Sequence, residues 1–271
     1  MNESADGATA SVLTDVRDGV LYVTINRPGK RNALNRATLD ALREAFSDAA
    51  HDAALRFVVL SGAGERSFAA GGDLREFDAL RSEADATALF DHAAAALDVI
   101  RDTPVPVIAA LNGTALGGGA ELAMACDYRV AAPHACIGFV QATLSITTGF
   151  SGAADLFPLL GPARAMRLLA QATVLDAHEG SALGLIDDVC ADGQPLVERV
   201  TQFAQPFIAR APHVVRALKQ IVASHRRAAR DATRAGERAA FVATWTAPEH
   251  WEAAQKFLDR RRADAATGPG T

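Results

Sequence analysis

The 271-residue chain reads as an α/β protein that ends in a helical region. Three observations predict this. Short runs rich in Val, Ile and Leu alternate with alanine-rich amphipathic segments through the first part of the chain. Two of those runs open into glycine clusters, Ala69-Ala70-Gly71-Gly72-Asp73 and Leu116-Gly117-Gly118-Gly119-Ala120, that pass straight into helix-forming sequence. From Leu196 onward the strand pattern stops and only helical periodicity remains. No linker rich in Pro, Gly or Ser parts the two regions. The division expected is a loose tail over 1–11, an α/β core over 12–192, a helical region over 193–263 and a second tail over 264–271.

Val12–Asp15 and Val20–Asn26 flank an Asp18-Gly19 turn, the signature of an opening β-hairpin. Leu21, Val23 and Ile25 fall on one face of its second strand and Val20, Tyr22, Thr24 and Asn26 on the other. Pro28 stops that strand. Leu39, Leu42, Ala45, Phe46 and Ala49 recur at three and four, predicting a helix from Arg36 to about His51. Phe57–Leu60 is a buried strand before the first glycine cluster. Residues 78–101 predict a helix, with a break near Ser82, halted by Pro104 and Pro106. Val105–Leu111 is the central strand, and Glu121 lies just inside the alanine-rich helix that follows Gly117–Gly119. Tyr128–Ala131 and Ala135–Phe139 predict two short strands, and residues 143–152 a loop able to line a cleft. Two helices, 153–160 and 162–170, hinge at Gly161-Pro162. Leu185–Cys190 reads as a last strand, and helices are expected over 196–210, 212–228, 231–246 and 249–262, with Pro206 as a possible kink.

The bulk properties exclude several function classes. A net charge of −5, a pI near 5.8 and 6% aromatic residues give no basic stripe with interleaved rings, so nucleic acid is not expected as a partner. Arg226-Arg227 and Arg260–Arg262 read as solvated helix faces. No run approaches a membrane span and none resembles a leader, so no membrane partner and a cytoplasmic site are expected. Cys126, Cys136 and Cys190 sit in apolar stretches and read as reduced thiols. The 7 histidines lack ligand spacing, and no metal is expected.

Both glycine clusters carry chemistry by one logic. Bare glycines at a helix start leave backbone N–H groups open to a ligand, where the helix dipole favours negative charge. Two such donors aimed at one carbonyl oxygen make an oxyanion hole. Close packing alone is the other reading of Gly117–Gly119. Asp73 is placed to cap the first helix.

The run Phe68-Ala69-Ala70-Gly71-Gly72-Asp73-Leu74, the run from Asn112-Gly113 through Ala115-Leu116-Gly117-Gly118-Gly119 to Glu121-Leu122-Ala123, and Cys126-Asp127 resemble the enoyl-CoA hydratase/isomerase (crotonase) superfamily. Ile25-Asn26-Arg27-Pro28, Asn32–Asn35, Gly161–Ala165, Ala182–Asp187 and Phe257–Arg261 also fit, in order, so the likeness spans about residues 12–262. It implies a crotonase (ClpP-like) α/β fold, a spiral of ββα units whose helical C-terminal region packs against neighbouring subunits in a homotrimer or dimer of trimers. It also implies an acyl-CoA thioester as substrate, coenzyme A entering only as part of that substrate, with no further cofactor.

Carried across by position, the resemblance makes the amides of Gly72 and Gly118 the oxyanion donors. The family usually has alanine or another small residue at the first. Ala70, Gly117 and Gly149 would flank the thioester. Lys30 and Arg31, with Lys256 or Arg260, are the candidates for the CoA phosphates, and Phe77, Leu80, Phe139 and Phe150 for the acyl pocket. Glu121 matches the first of the two glutamates that activate water in hydratases. Counting back from Gly149-Phe150-Ser151-Gly152 puts Gln141 where the second belongs. An amide can hydrogen-bond but cannot exchange a proton. The expected function is therefore an enoyl-CoA hydratase-like lyase of fatty acid metabolism with Glu121 as acid/base. Two alternatives stand beside it: a methyl- or ethylmalonyl-type acyl-CoA decarboxylase or enoyl-CoA isomerase, and a silent scaffold that keeps the fold.

Overall fold

A computed structural model of the chain describes residues 10–267, with side chains described to residue 260. Of the tails expected at 1–11 and 264–271, residues 1–9 and 268–271 lie outside the described residues. Strands β1 (Val12–Arg17) and β2 (Val20–Ile25) form the expected antiparallel hairpin, and Asp18 and Gly19 take φ of 50° and 76°, the sign a two-residue turn of this twist needs. Helix α1 (Arg36–His51) begins where Asn35 Oδ1 accepts the Thr38 N–H at 2.9 Å, and it buries Leu39, Leu42, Phe46 and Ala49.

Three similar steps follow. Strand β3 (Phe57–Gly62) is succeeded by β4 (Ser67–Ala69), a one-turn α2 (Leu74–Phe77) and α3 (Glu83–Arg101). A reciprocal Ser82–Asp85 capping box fixes the start of α3, at the break expected there. Next come β5 (Val107–Leu111), β6 (Thr114–Leu116) and α4 (Gly118–Ala125). Then β7 (Tyr128–Ala131) and β8 (Cys136–Gly138) lead through a 3-10 turn at Gln141–Leu144 to α5 (Ala153–Leu160) and α6 (Pro162–Gln171). In each step the first strand enters a six-stranded sheet of order β1-β2-β3-β5-β7-β10, and the second enters a four-stranded sheet of order β4-β6-β8-β9. This is a spiral of ββα units. The remaining elements are β9 (Val174–Asp176), α7 (Ala177–Leu183), β10 (Asp188–Val189), α8 (Leu196–Ile208), α9 (Pro212–Trp245) and α10 (Pro248–Thr267).

The large sheet is buried on both faces, as its continuous apolar strands require. Leu21, Val23, Val58, Leu60, Val107 and Ala109 join the main core. Val20, Phe57, Val59, Ile108 and Val130 face Val200 and Ala204 of α8 instead. A third cluster joins Phe77, Leu89 and Phe90 to Phe241 and Trp245 of α9, so the end of that helix is packed against α2 and α3.

The structure differs from the sequence reading in several places. Strands β4, β6 and β9, of three residues each, are too short to show alternation and were not predicted. The strand expected over Leu185–Cys190 contracts to Asp188–Val189, because Leu185 and Ile186 turn into the core. The break expected between residues 228 and 231 is absent: α9 is one helix of 34 residues. Its middle is fixed by Arg230, which is 2% exposed and pairs with Asp98 and Asp102. Arg226 is not a solvated group either. It reaches the carbonyl end of α4 at Met124 and Ala125 and pairs with Asp127 and Asp155. Residues 264–267, expected in the tail, continue α10.

Candidate active site

The two glycine junctions meet. Gly117 takes φ 54° and ψ −121°, a conformation that a side chain opposes, and this turns the chain from β6 into α4. Gly119 then lies so close to Ala69 of β4 that a Cβ there would overlap the Ala69 carbonyl. Leu34 pairs with the first junction by donating to Gly71 O at 2.8 Å and accepting from Asp73 N at 3.0 Å, which leaves the Gly72 N–H outside the pairing. Among the described residues neither the Gly72 nor the Gly118 N–H has a protein acceptor. The two glycines lie against one ring: the tip of Phe150, Cζ, is 3.7 Å from where a Cβ on Gly72 would be and 3.1 Å from the same position on Gly118.

Two asparagines of the sequence motifs turn out to be structural. Asn112 Nδ2 donates to Gly62 O at 2.8 Å and Gly64 O at 2.6 Å, while Asn32 Nδ2 donates to Ser67 O at 2.7 Å, so both fix the turn between β3 and β4. Asp73 does not cap α2 as expected; its carboxylate pairs with Arg27 at 2.9 Å. Asp127 likewise serves the fold, accepting from Val107 N at 2.8 Å and from Lys219 Nζ at 2.6 Å.

Glu121 is 1% exposed, not the surface glutamate a bare helix position would give. Its Oε1 accepts from Gln141 Nε2 at 2.7 Å and Gly149 N at 3.2 Å, and its Oε2 accepts from Phe150 N at 2.8 Å and Gly152 N at 2.9 Å. Burial, with the charge of Glu237 in addition, pushes its carboxyl up to about 7 against the pull of those N–H donors. Gln141 spends its amide N–H on Glu121 and its Oε1 is buried without a partner.

These groups line a cleft of about 530 Å³. Ala70, Gly72, Gly117, Gly118, Glu121, Gln141, Gly149, Phe77 and Phe150 all border it. Lys30 and Arg31 border it too, from exposed positions. Lys256 and Arg260 do not, although Phe257 and Leu258 of the same helix do. Of the expected acyl-pocket residues, Phe139 is wholly buried in the main core and Leu80 packs with α3 and α9, so neither faces the cleft. A second cavity, of about 500 Å³, has Asp127, Asp155, Lys219 and Arg226 in its wall, and these pair with one another.

The family model described as enoyl-CoA hydratase/isomerase matches residues 15–266. The chain belongs to the enoyl-CoA hydratase/isomerase family. It is 32% identical over 268 residues to a crotonyl-CoA hydratase of Syntrophomonas wolfei, covering 95% of this chain and 98% of that one. It is 31% identical over 243 residues to a probable enoyl-CoA hydratase of Bacillus subtilis, covering 90% and 93%. A solved enoyl-CoA hydratase of Bacillus anthracis superposes with a TM-score of 0.75 at 30% identity, covering 92% and 96%. One from Bacillus halodurans gives a TM-score of 0.84 over 91% and 99%, at 22% identity, and so speaks for the crotonase fold alone.

For this hydratase/isomerase family member, one acidic residue near the site escaped the sequence reading. Glu237 of α9 reaches the loop behind Glu121, where its Oε1 accepts from Thr148 Oγ1 at 2.6 Å and Ala153 N at 3.1 Å. The signal was present. Residues 230, 234, 237, 241 and 245 share one stripe of α9, and an acid between Arg234 and Phe241 on an inward stripe is out of place unless it has a partner.

Proposed function

We propose that the protein is an enoyl-CoA hydratase-like lyase in which Glu121 is both acid and base. The observation that carries this reading is the position of Glu121: a buried carboxyl with a pKa of about 7, in the same cleft as two unpaired N–H donors. The Gly72 and Gly118 N–H groups would bind the thioester oxygen and stabilise the enolate as negative charge gathers there. Water's oxygen adds to the β carbon while its proton passes to ionised Glu121. The same carboxyl then returns that proton to the α carbon as the enolate collapses. A pKa near neutrality keeps both forms within reach at working pH. Lys30 and Arg31 would meet the CoA phosphates, a role supported by their lying at the border of the cleft.

A second reading is supported by one specific feature. Both Glu121 oxygens already accept two donors each, and Gln141 offers no proton. Decarboxylation of a malonyl-type acyl-CoA needs less of the carboxyl: the bond to the substrate carboxylate breaks, CO2 leaves, and its electron pair becomes the enolate held by Gly72 and Gly118. Purified protein supplied with crotonyl-CoA, and separately with methylmalonyl- and ethylmalonyl-CoA, separates the two. Hydration that is lost in Glu121→Gln supports the hydratase; CO2 release without hydration moves the assignment to the decarboxylases. Silence on all three while CoA still binds would favour a scaffold.

Exposed Leu218, Ile221 and Val222 on α9 support self-association in a trimer or dimer of trimers, which sedimentation would test. Among the described residues no helix is long and apolar enough to cross a membrane.

A further inference from the structure

The loop from Thr148 to Ala153 is held from two sides by two carboxyl groups. Glu121 of α4 takes the N–H groups of Gly149, Phe150 and Gly152. Glu237 of α9 takes the Thr148 hydroxyl and the Ala153 N–H, both on Oε1. Its Oε2 is buried with no hydrogen-bond partner, and no cation pairs with it among the described residues. The neighbours on its own helix are spoken for: Arg234 pairs with Asp98 and Arg238 with Asp91.

A Cβ on Gly152 would overlap the Glu121 side chain, so the backbone of the loop lies directly against that acid. The other charged groups facing Glu237 are Arg101 of α3 and Asp155 of α5. Arg101 donates to Ser151 O at 2.9 Å and pairs with Asp155, which pairs in turn with Arg226. The Arg101 charge favours ionised Glu237 and that of Asp155 opposes it, burial outweighs both, and no cation pairs with the Glu237 carboxyl among the described residues. A hydrogen-bonding clamp alone would be served equally by glutamine, and a carboxyl buried beside another carboxyl raises the energy of ionising both.

We propose that Glu237 is a positioning residue for Glu121: it fixes from behind the loop whose N–H groups grip Glu121, and its negative charge biases the Glu121 carboxyl toward the protonated form. It does not border the cleft and does not touch substrate. Position 141 is where the sequence lacks a second acid, and the fold brings one to the same carboxyl from a helix more than a hundred residues later (Glu121 to Glu237). The placement accords with the electrostatics of Glu121, which burial raises first and the charge of Glu237 second. Burial likewise raises the Glu237 carboxyl, against its bonds from Thr148 and Ala153.

The inference rests on Glu121 being the titrating group of the site, but its test does not need turnover. The carboxyl of Glu121 is followed by infrared difference spectroscopy as pH is raised, assigned by its loss in Glu121→Gln. In Glu237→Gln, where the amide oxygen can still accept from Thr148 and Ala153, the Glu121 midpoint should fall clearly below that of the wild type. Glu237→Asp, which keeps the charge, should hold it nearer the wild-type value. An unchanged midpoint in a folded Glu237→Gln protein overturns the proposal. If that variant melts early, the same comparison is run between Glu237→Asp and Glu237→Asn, and equal midpoints there overturn it as well. Where turnover exists, the pH profile of kcat should move with the infrared midpoint. Failure of all three substrates with a shifted midpoint would sink the hydratase reading and leave this one standing.

Discussion

Gln141 donates from Nε2 to Glu121 Oε1 at 2.7 Å, so the residue that stands in place of a second acid is bonded directly to the first. The amide stabilises the ionised carboxylate but brings no charge of its own. Replacing it by a carboxyl reverses that effect, since two carboxyls at such a separation cannot both ionise cheaply. Gln141→Glu is therefore expected to move the acidic limb of the pH–activity profile upward, above the wild-type midpoint. A downward shift would contradict the arrangement.

The pH dependence of the wild type follows from Glu121. In the proposed hydration Glu121 acts as the base and must be ionised, so the rate should rise with pH through about 7. The linked effect on stability has the opposite sense. A carboxyl whose folded pKa is raised from 4.5 to about 7 binds its proton more tightly in the folded state, so its contribution is fully present below 4.5 and declines as pH rises to about 7. Melting temperatures recorded across that window should slope downward, and the slope should flatten in Glu121→Gln whatever that variant's absolute stability.

Gly72 and Gly118, the glycines proposed as oxyanion donors, should not tolerate alanine equally. A Cβ on Gly118 would lie 2.6 Å from Phe150 Cε2, on a residue whose backbone N–H donates to Glu121. On Gly72 the nearest atom is Phe77 Cε2 at 2.9 Å, at the edge of a side chain on a one-turn helix. Gly118→Ala should cost about 10²–10³ in kcat, the scale for a lost oxyanion donor. Gly72→Ala should keep most of the activity. Steady-state kinetics on both variants, with melting curves as a fold control, gives the comparison.

The Phe150 ring lies against both glycine positions and borders the cleft. Shortening it to alanine opens the cleft at that point. Phe150→Ala should shift the ratio of kcat/KM between a long-chain and a short-chain enoyl-CoA toward the longer chain, by about tenfold or more for several methylene groups at the usual hydrophobic increment. An unchanged ratio would show that another wall sets chain length.

Arg101 and Asp155 anchor the loop from below. Arg101 is fully buried and pairs with Asp155 at 2.7 Å, and Asp155 also pairs with Arg226 at 2.7 Å. Burial pushes the Asp155 carboxyl up, but the Arg101 and Arg226 charges outweigh it and hold it below its ordinary 3.8. That contribution is present above 3.8 and is lost as pH falls further. Asp155→Asn leaves a buried guanidinium short of its counter-charge and should destabilise the fold by about 3–5 kcal/mol in urea unfolding. Because Arg101 also holds Ser151, activity should fall before global unfolding does.

Much of this was legible in local sequence. The Asp18-Gly19 hairpin, the Asn35-capped helix, the strand alternation at Leu21, Val23 and Ile25, and the two glycine junctions are set by turn chemistry, capping and periodicity, which act over a few residues. The motif positions at Gly72, Gly118, Glu121 and Gln141 were likewise placed by spacing. Of the second sheet only β8 was legible, within Ala135–Phe139, because the three residues each of β4, β6 and β9 leave no alternation to read. The continuity of α9 through Arg230 was missed because the charges that steady it, Asp98 and Asp102, lie on a helix far earlier in the chain.

What the sequence alone determined, then, is the fold and the list of groups at the site: two backbone donors, one acid and an amide where a second acid would stand. Only the tertiary structure decided how that acid is held, with its oxygens filled by the Gly149–Gly152 loop, Phe150 set across both glycines and Glu237 brought up from α9. The reason is physical. Periodicity and turn residues report interactions within a few positions, whereas the burial and charge around Glu121 come from segments that meet only when the core closes.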